Sequence, residues 1–181
     1  TDPSGWGEAI DGVLQDYPAI ARPADRKPAR MLSAMLADVL DMRRLMIREQ
    51  GSTGLWDVKR ARGGLVELEF IAQTLQLLHA PAHRQVLDTN TLGALEKLAG
   101  AGLLDATTHG ELKEAGLLYH RLTQVLRLCV DGPYEPEKSL PALNQLVASA
   151  AASPDIPTAE ALLADTQAQV AAHFDRLIGK V

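Results

Sequence analysis

The chain has 181 residues, a formal net charge of −5, a hydrophobic fraction of 46% and an aromatic fraction of only 4%. That length suits one domain with a short appendage, and the acidic balance excludes a general binder of phosphate backbones, so no nucleic-acid partner is expected. Cys129 is the only cysteine, which excludes an internal disulfide and fits a reducing cytoplasm. No apolar run reaches the roughly 18 residues of a membrane span, and the opening "TDPSGWGEAI" lacks the order of a signal peptide.

Leu and Ala dominate the apolar residues, the palette of packed helices. "SGWGEAIDGVLQ" (4–15) reads as a short first helix, broken by the three prolines of "DYPAIARPADRKP". Residues 1–27 therefore read as a short helix and linker, and 28–181 as the main bundle. From Pro28, a good first-turn residue, a helix runs to about 50. Its stripe is Leu32, Met35, Val39, Met42 and Met46, ended by Gly51 and Gly54. The next helix, about 64–79, is apolar nearly all round and so is expected at the centre. Leu65, Leu68, Ala72 and Leu75 form its main stripe. Glu69, Gln73 and Gln76 form one polar stripe, while Glu67 lies opposite among Phe70, Ile71 and Leu78. A capped short helix follows over 88–102. A long one over 105–130 has the seam Leu112, Ala115, Leu118, Leu122, Val125 and Cys129. A further helix covers 139–152, and a last one, capped by Thr158, turns Leu163, Val170, Phe174 and Leu177 inward. No stretch alternates like a strand. The fold class is all-α, a single bundle of about six helices.

Chemistry-bearing residues concentrate in "KRARGGLVELEF" (59–70). Glu67 and Glu69 would share a face on a strand, but on a helix they diverge by about 200° and cannot hold one metal. His79 and His83 are interrupted by Pro81 and have no third ligand nearby, so no metal site is expected. His109, His120 and His173 read as isolated, and Cys129 as a small buried hydrophobe. No catalytic residue is assigned: the chain has no Asp-x-Asp pair, no Walker lysine motif and no nucleophile elbow. Gly63-Gly64 after Lys59, Arg60 and Arg62 has two readings. It is an anion-binding turn at a helix N-terminus, or a tight turn that carries a loop over a buried helix, with Glu67 near the positive helix end. A buried Glu67 needs a partner, and Arg43, Arg121 and Arg127 are the candidate arginines. Loss of that bond is expected to cost about 1–3 kcal/mol, whereas loss of Glu69 is expected to cost little.

"WDVKRARGGLVELEFIAQTLQLLHA" resembles the Lys-x-x-x-Gly-Gly and acidic-x-acidic-Phe signature of glutamine synthetase adenylyltransferases, with Glu67 where that family usually has Asp. "DMRRLMIREQG", "NTLGALEKLAGAGLL", "YHRLTQVLRLCVDG" and "FDRLIGKV" are similar to the end of the C-terminal half of those enzymes. The resemblance implies a helical domain that follows an upstream nucleotidyltransferase core and runs to the C-terminus. The core's Gly-Ser turn and Asp-x-Asp pair have no counterpart here; Gly51-Ser52 does not match. It further implies an inactive fragment that binds no cofactor itself, with ATP and Mg²⁺ used by the full-length enzyme. The implied partners are the upstream core, glutamine synthetase and the PII signalling protein. Lys59, Arg60, Arg62, Gly63 and Gly64 become a core-facing or phosphate-facing rim, and Glu67 and Glu69 structural or interface carboxylates. The alternatives are a protein-binding or regulatory module for glutamine synthetase or PII, or the helical module of PII uridylyltransferases, which is similar.

Overall fold

The computed structural model describes residues 26–180 apart from Thr53. The short helix expected over 4–15 and its linker lie outside the described residues. Those residues form six α-helices, α1 (Arg26–Gln50), α2 (Leu65–His79), α3 (Thr91–Gly100), α4 (Ala106–Cys129), α5 (Pro141–Ala150) and α6 (Ile156–Leu177), with short 3₁₀ turns at Arg84–Val86 and Pro136–Lys138. No strand occurs among the described residues, and the bundle is all-α.

Helix α2 occupies the middle and packs against α1, α3, α4 and α6. Its sequence explains that position. Leu65, Leu68, Ala72 and Leu75 point into the core, and Val66 and Ile71 on neighbouring faces are buried too. Apolar side chains on more than one face of a helix need more than one partner helix. The cover is incomplete: Leu77, on the expected second stripe, is 60% exposed. The expected polar stripe divides. Gln73 is exposed, whereas Gln76 is buried and its Oε1 accepts the Asp88 amide at 2.7 Å. One long polar side chain thus anchors the loop into α3.

Helix α1 presents a different face from the expected one. Leu36, Leu40 and Arg43 are buried, Met35 and Val39 are half-buried, and Met42 is 51% exposed. Each buried position sits one residue after a member of the expected stripe, a rotation of about 100°. Apolar spacing alone favours the methionine side, but Arg43 faces inward to meet a buried carboxylate, and the helix turns with it.

The caps follow simple side-chain chemistry. Asn90 accepts the Gly93 amide at 3.0 Å and Asp105 the Thr108 amide at 2.9 Å. On α6 the cap is Asp155, which accepts the Thr158 amide at 2.9 Å, so Thr158 supplies an amide to the cap it was expected to be. The α4 seam is buried from Leu112 to Leu122, loosens at Val125, and is lost at Cys129, which is exposed. The reading of Cys129 as a core residue is corrected: the last turn of α4 runs past the end of the bundle and leaves Leu128 and Cys129 in solvent.

The rotated α1 face has a direct test. Leu40→Ala removes a fully buried side chain and is expected to cost about 2–5 kcal/mol in urea unfolding, while Met42→Ala on the expected stripe costs under about 1 kcal/mol. Equal costs, or the reverse order, would contradict the observed orientation.

Candidate functional site

The segment 54–64 enters α2 through Gly63 and Gly64. Both glycines are required. Gly63 has φ +72, and a Cβ there would lie 1.7 Å from the Gln167 carbonyl oxygen on α6. A Cβ on Gly64 would lie 2.5 Å from the Val58 carbonyl oxygen. The turn therefore presses its backbone against α6 on one side and against its own preceding residues on the other.

Glu67, in the first turn of α2, is fully buried, and its carboxylate receives three donors. Arg43 Nε donates to Oε1 at 2.8 Å and the Gly63 amide donates to Oε2 at 2.9 Å. Arg62 also donates to Oε2. The position at the positive end of α2 adds further stabilisation. Arg43 is itself only 1% exposed, and its Nη2 reaches the carbonyls of Arg60 at 3.0 Å and Ala61 at 3.2 Å. Every strong partner of this ion pair is thus internal, which is the condition under which a buried charge is tolerated. Arg43 is one of the three arginines expected for this role. Arg121 bonds instead to the Ala150 carbonyl at 2.9 Å, and Arg127 is exposed.

The same turn is tied to the rest of the bundle. Arg62 donates to Asp175 and to the Ala171 carbonyl on α6, and its guanidinium lies 5.4 Å from the centre of the Phe174 ring. The Tyr119 hydroxyl of α4 donates to the Gly63 carbonyl at 2.7 Å. Burial, with the Glu67 charge as a second cause, pushes the Tyr119 hydroxyl well above its ordinary pKa, so it stays a neutral donor. Gln167 donates to the Leu55 carbonyl at 3.0 Å, and Trp56 Nε1 donates to Glu160 at 3.0 Å.

The residues of "KRARGG" divide accordingly. Arg62, Gly63 and Gly64 are inside the knot. The Gly63 amide is spent on Glu67 and the Gly64 amide on the Ala61 carbonyl at 2.9 Å. The anion in this turn is the chain's own Glu67. Arg60 makes one pair, Nε to Asp57 at 3.0 Å, and keeps the outer half of its guanidinium toward solvent. Lys59 is exposed and Glu69 is half-buried, about 200° from Glu67 around the helix. Spacing shows none of the long-range partners: Asp175 is 113 residues from Arg62, and Gln167 is more than 100 from Gly63.

The histidines are less isolated than expected. His173 pairs with Glu111, and His109 Nε2 lies 3.9 Å from Glu96. Burial first, then the nearby His83, lowers the pKa of His79. Among the described residues, no group of three or more His, Cys, Asp or Glu is placed to hold a metal ion.

The architecture is that of a helical module whose central helix is entered through a Gly-Gly turn sealed by a buried arginine–glutamate pair. The profile of the GlnD PII-uridylyltransferase family matches residues 33–178, and the chain belongs to that family. The chain is 40% identical over 173 residues to the bifunctional glutamine synthetase adenylyltransferase/adenylyl-removing enzyme of Rhodopseudomonas palustris (strain BisB5), covering 95% of this chain and 17% of that protein. The protein of the same name from Bradyrhizobium diazoefficiens is 40% identical over 173 residues, with 96% and 17% covered. That from Xanthobacter autotrophicus is 44% identical over 153 residues, with 84% and 15% covered. The chain thus spans about 17% of the length of the first two of these curated relatives. No solved structure matches it.

The Gly-Gly turn offers a sharp test. Gly63→Ala meets the α6 backbone and is expected to lower the unfolding free energy by more than about 3 kcal/mol or to abolish folding. Gly102→Ala, at φ +71 with nothing within 4 Å of its Cβ, is expected to cost only the conformational strain, about 1–2 kcal/mol. Similar losses in the two variants would contradict the close approach of turn and helix.

Proposed function

We propose that this chain serves as the helical domain of an enzyme that adenylylates and deadenylylates glutamine synthetase, and that it packs on a nucleotidyltransferase core and completes that core's nucleotide cleft. The observation that carries the reading is the roughly 40% identity to adenylyltransferases along nearly the whole chain. On this reading ATP and Mg²⁺ are bound by the core, the protein works in the cytoplasm, and PII is a regulatory partner. No described helix is long and apolar enough to cross a membrane, which fits that setting. The chain alone is inactive on this reading, because nucleotidyl transfer needs carboxylates that hold Mg²⁺ against the triphosphate and the sequence contains no Asp-x-Asp pair.

The geometry supports a specific contact face. Arg62, Gly63 and Gly64 are engaged internally, so the outward part of the motif is Lys59, the outer guanidinium of Arg60 and the neighbouring edge with Glu69 and Gln73. A core that carries phosphate and metal-binding carboxylates presents a negative field to which Lys59 and Arg60 are complementary. A second reading, a helical module of a uridylyltransferase acting on PII, is favoured by the description of the matching family.

In a full-length protein that contains this chain, Lys59→Glu with Arg60→Glu is expected to lower adenylylation of glutamine synthetase about tenfold or more. The thermal unfolding of the 181-residue chain should shift little, because the one ion pair removed is partly solvated. Unchanged adenylylation would contradict the contact face. Uridylylation of PII, with no adenylylation of glutamine synthetase, would decide for the second reading.

A further inference from the structure

Beyond the Gly-Gly turn, the loop 54–60 and the end of α4 enclose a groove of about 670 Å³, lined by Trp56, Asp57, Arg60, Arg127, Val130 and Tyr134 among others. Its volume falls within the range of about 300–1,000 Å³ typical of small-ligand sites. Two arginines 67 positions apart in sequence meet in it, one from the turn and one from the last turn of α4.

The charges of the groove are unevenly matched. Asp57 is bound by Arg60 through the Nε at 3.0 Å and the backbone amide at 3.2 Å. Glu135, at the rim, is paired with Lys138. Both lining carboxylates are therefore already neutralised by cations. Arg127 has no ion-pair or hydrogen-bond partner among the described residues, and Arg60 engages only its Nε. The groove keeps unspent guanidinium donors, whose planar fork matches a carboxylate or phosphate.

The rest of the lining is flat and apolar. Trp56 is half-buried with its Nε1 spent on Glu160, so what it offers the groove is ring surface. Tyr134 is packed edge-on against it, with ring centres 5.0 Å apart, and its hydroxyl is bonded to Asn144 at 2.6 Å. Leu126, Val130 and Pro133 complete the wall. With the polar atoms of both rings engaged elsewhere, what Trp56 offers the groove is aromatic carbon, which suits a ring-bearing or otherwise apolar body.

We propose that this groove is a binding site for a small organic oxyanion, a carboxylate or phosphate carried on a ring-bearing body, with Arg127 and the outer edge of Arg60 holding the oxyanion and Trp56 packing on the body. The outer edge of Arg60 is shared with the proposed contact face, whereas Arg127 and Trp56 belong to the groove and not to that face, so the site is tested at Arg127 and Trp56. The two guanidiniums set where the charge sits, and the aromatic pair sets what the charge must be attached to. A bare anion gains only the first contribution, and a neutral ring only the second.

Trp56 reports directly on the site once Trp6, the other tryptophan of the chain, is replaced by Phe. In that background, phenyl phosphate and benzoate are titrated against inorganic phosphate and phenol at constant ionic strength while Trp56 emission is followed. Saturable changes are expected with phenyl phosphate or benzoate, and binding at least about tenfold weaker with inorganic phosphate and phenol. Arg127→Gln is expected to weaken the aryl oxyanion about tenfold or more, the effect of removing a charge-assisted contact. Arg84→Gln, at an exposed arginine outside the groove, should leave it unchanged. Because Arg127 holds nothing else in place, its variant keeps the fold, and unchanged far-ultraviolet circular dichroism verifies this. The absence of a saturable response to both aryl anions, or equal affinity in Arg127→Gln and the parent, would overturn the site. Equal affinity for inorganic phosphate and the aryl anions would overturn the ring-bearing class of ligand.

Discussion

The burial of one carboxylate, Glu67, constrains most of this structure. A carboxylate with no solvent contact must have its charge matched and its lone pairs filled. Arg43 and Arg62 supply the charge, and the Gly63 amide supplies a further donor. Each of those donors then fixes something larger. Arg43 sets which face α1 turns inward. Arg62 reaches Asp175 and so ties the turn to α6. Gly63 must sit where its amide meets Glu67, which places its Cα against the Gln167 backbone and excludes any side chain. Tyr119 then closes the turn's remaining carbonyl from α4. Four helices meet at this point, and the contacts are directional, which distinguishes one bundle geometry from the alternatives that leucine packing alone would allow.

That arrangement gives the Gly-Gly motif a physical meaning. A glycine pair after a run of cations at a helix start has the ingredients of a phosphate cradle. Here the helix end is occupied by a carboxylate from its own first turn; the Gly63 amide and Arg62 are committed to it, and the Gly64 amide is taken by the Ala61 carbonyl. What the motif presents outward is a reduced set, Lys59 and half of Arg60, on a rigid base. Rigidity of the base matters for a domain that is proposed to meet a catalytic core, since a contact face placed by backbone packing is held more tightly than one carried on a loop alone.

The helices were legible in the sequence because their apolar spacing is long and regular. The central position of α2 could be read from its several apolar faces, and the burial of Glu67 from its flanks. Arg43 was legible only as one of three candidates, because nothing in the spacing chooses among arginines on different helices. The orientation of α1 was misread for the same reason. Met35, Val39, Met42 and Met46 form a good stripe by hydrophobicity, and the true stripe contains an arginine that hydrophobicity discounts. Asp155 rather than Thr158 caps α6, because Asp155 precedes Ile156-Pro157 and meets the Thr158 amide, a choice that local preference does not decide. Asp175 with Arg62, Gln167 against Gly63, and Arg127 beside Arg60 are products of the packed fold and leave no local signal.

The central claim is that Arg43 and Glu67 stabilise the domain as one coupled unit. A double-mutant cycle with Arg43→Met, Glu67→Gln and the double variant, followed by urea unfolding, measures this directly. Each single variant is expected to cost about 3–5 kcal/mol because it strands a buried partner, and the double variant well under the sum, with a coupling of about 2 kcal/mol or more. Additive losses, or single losses under about 1 kcal/mol, would show that the fold does not depend on this pair.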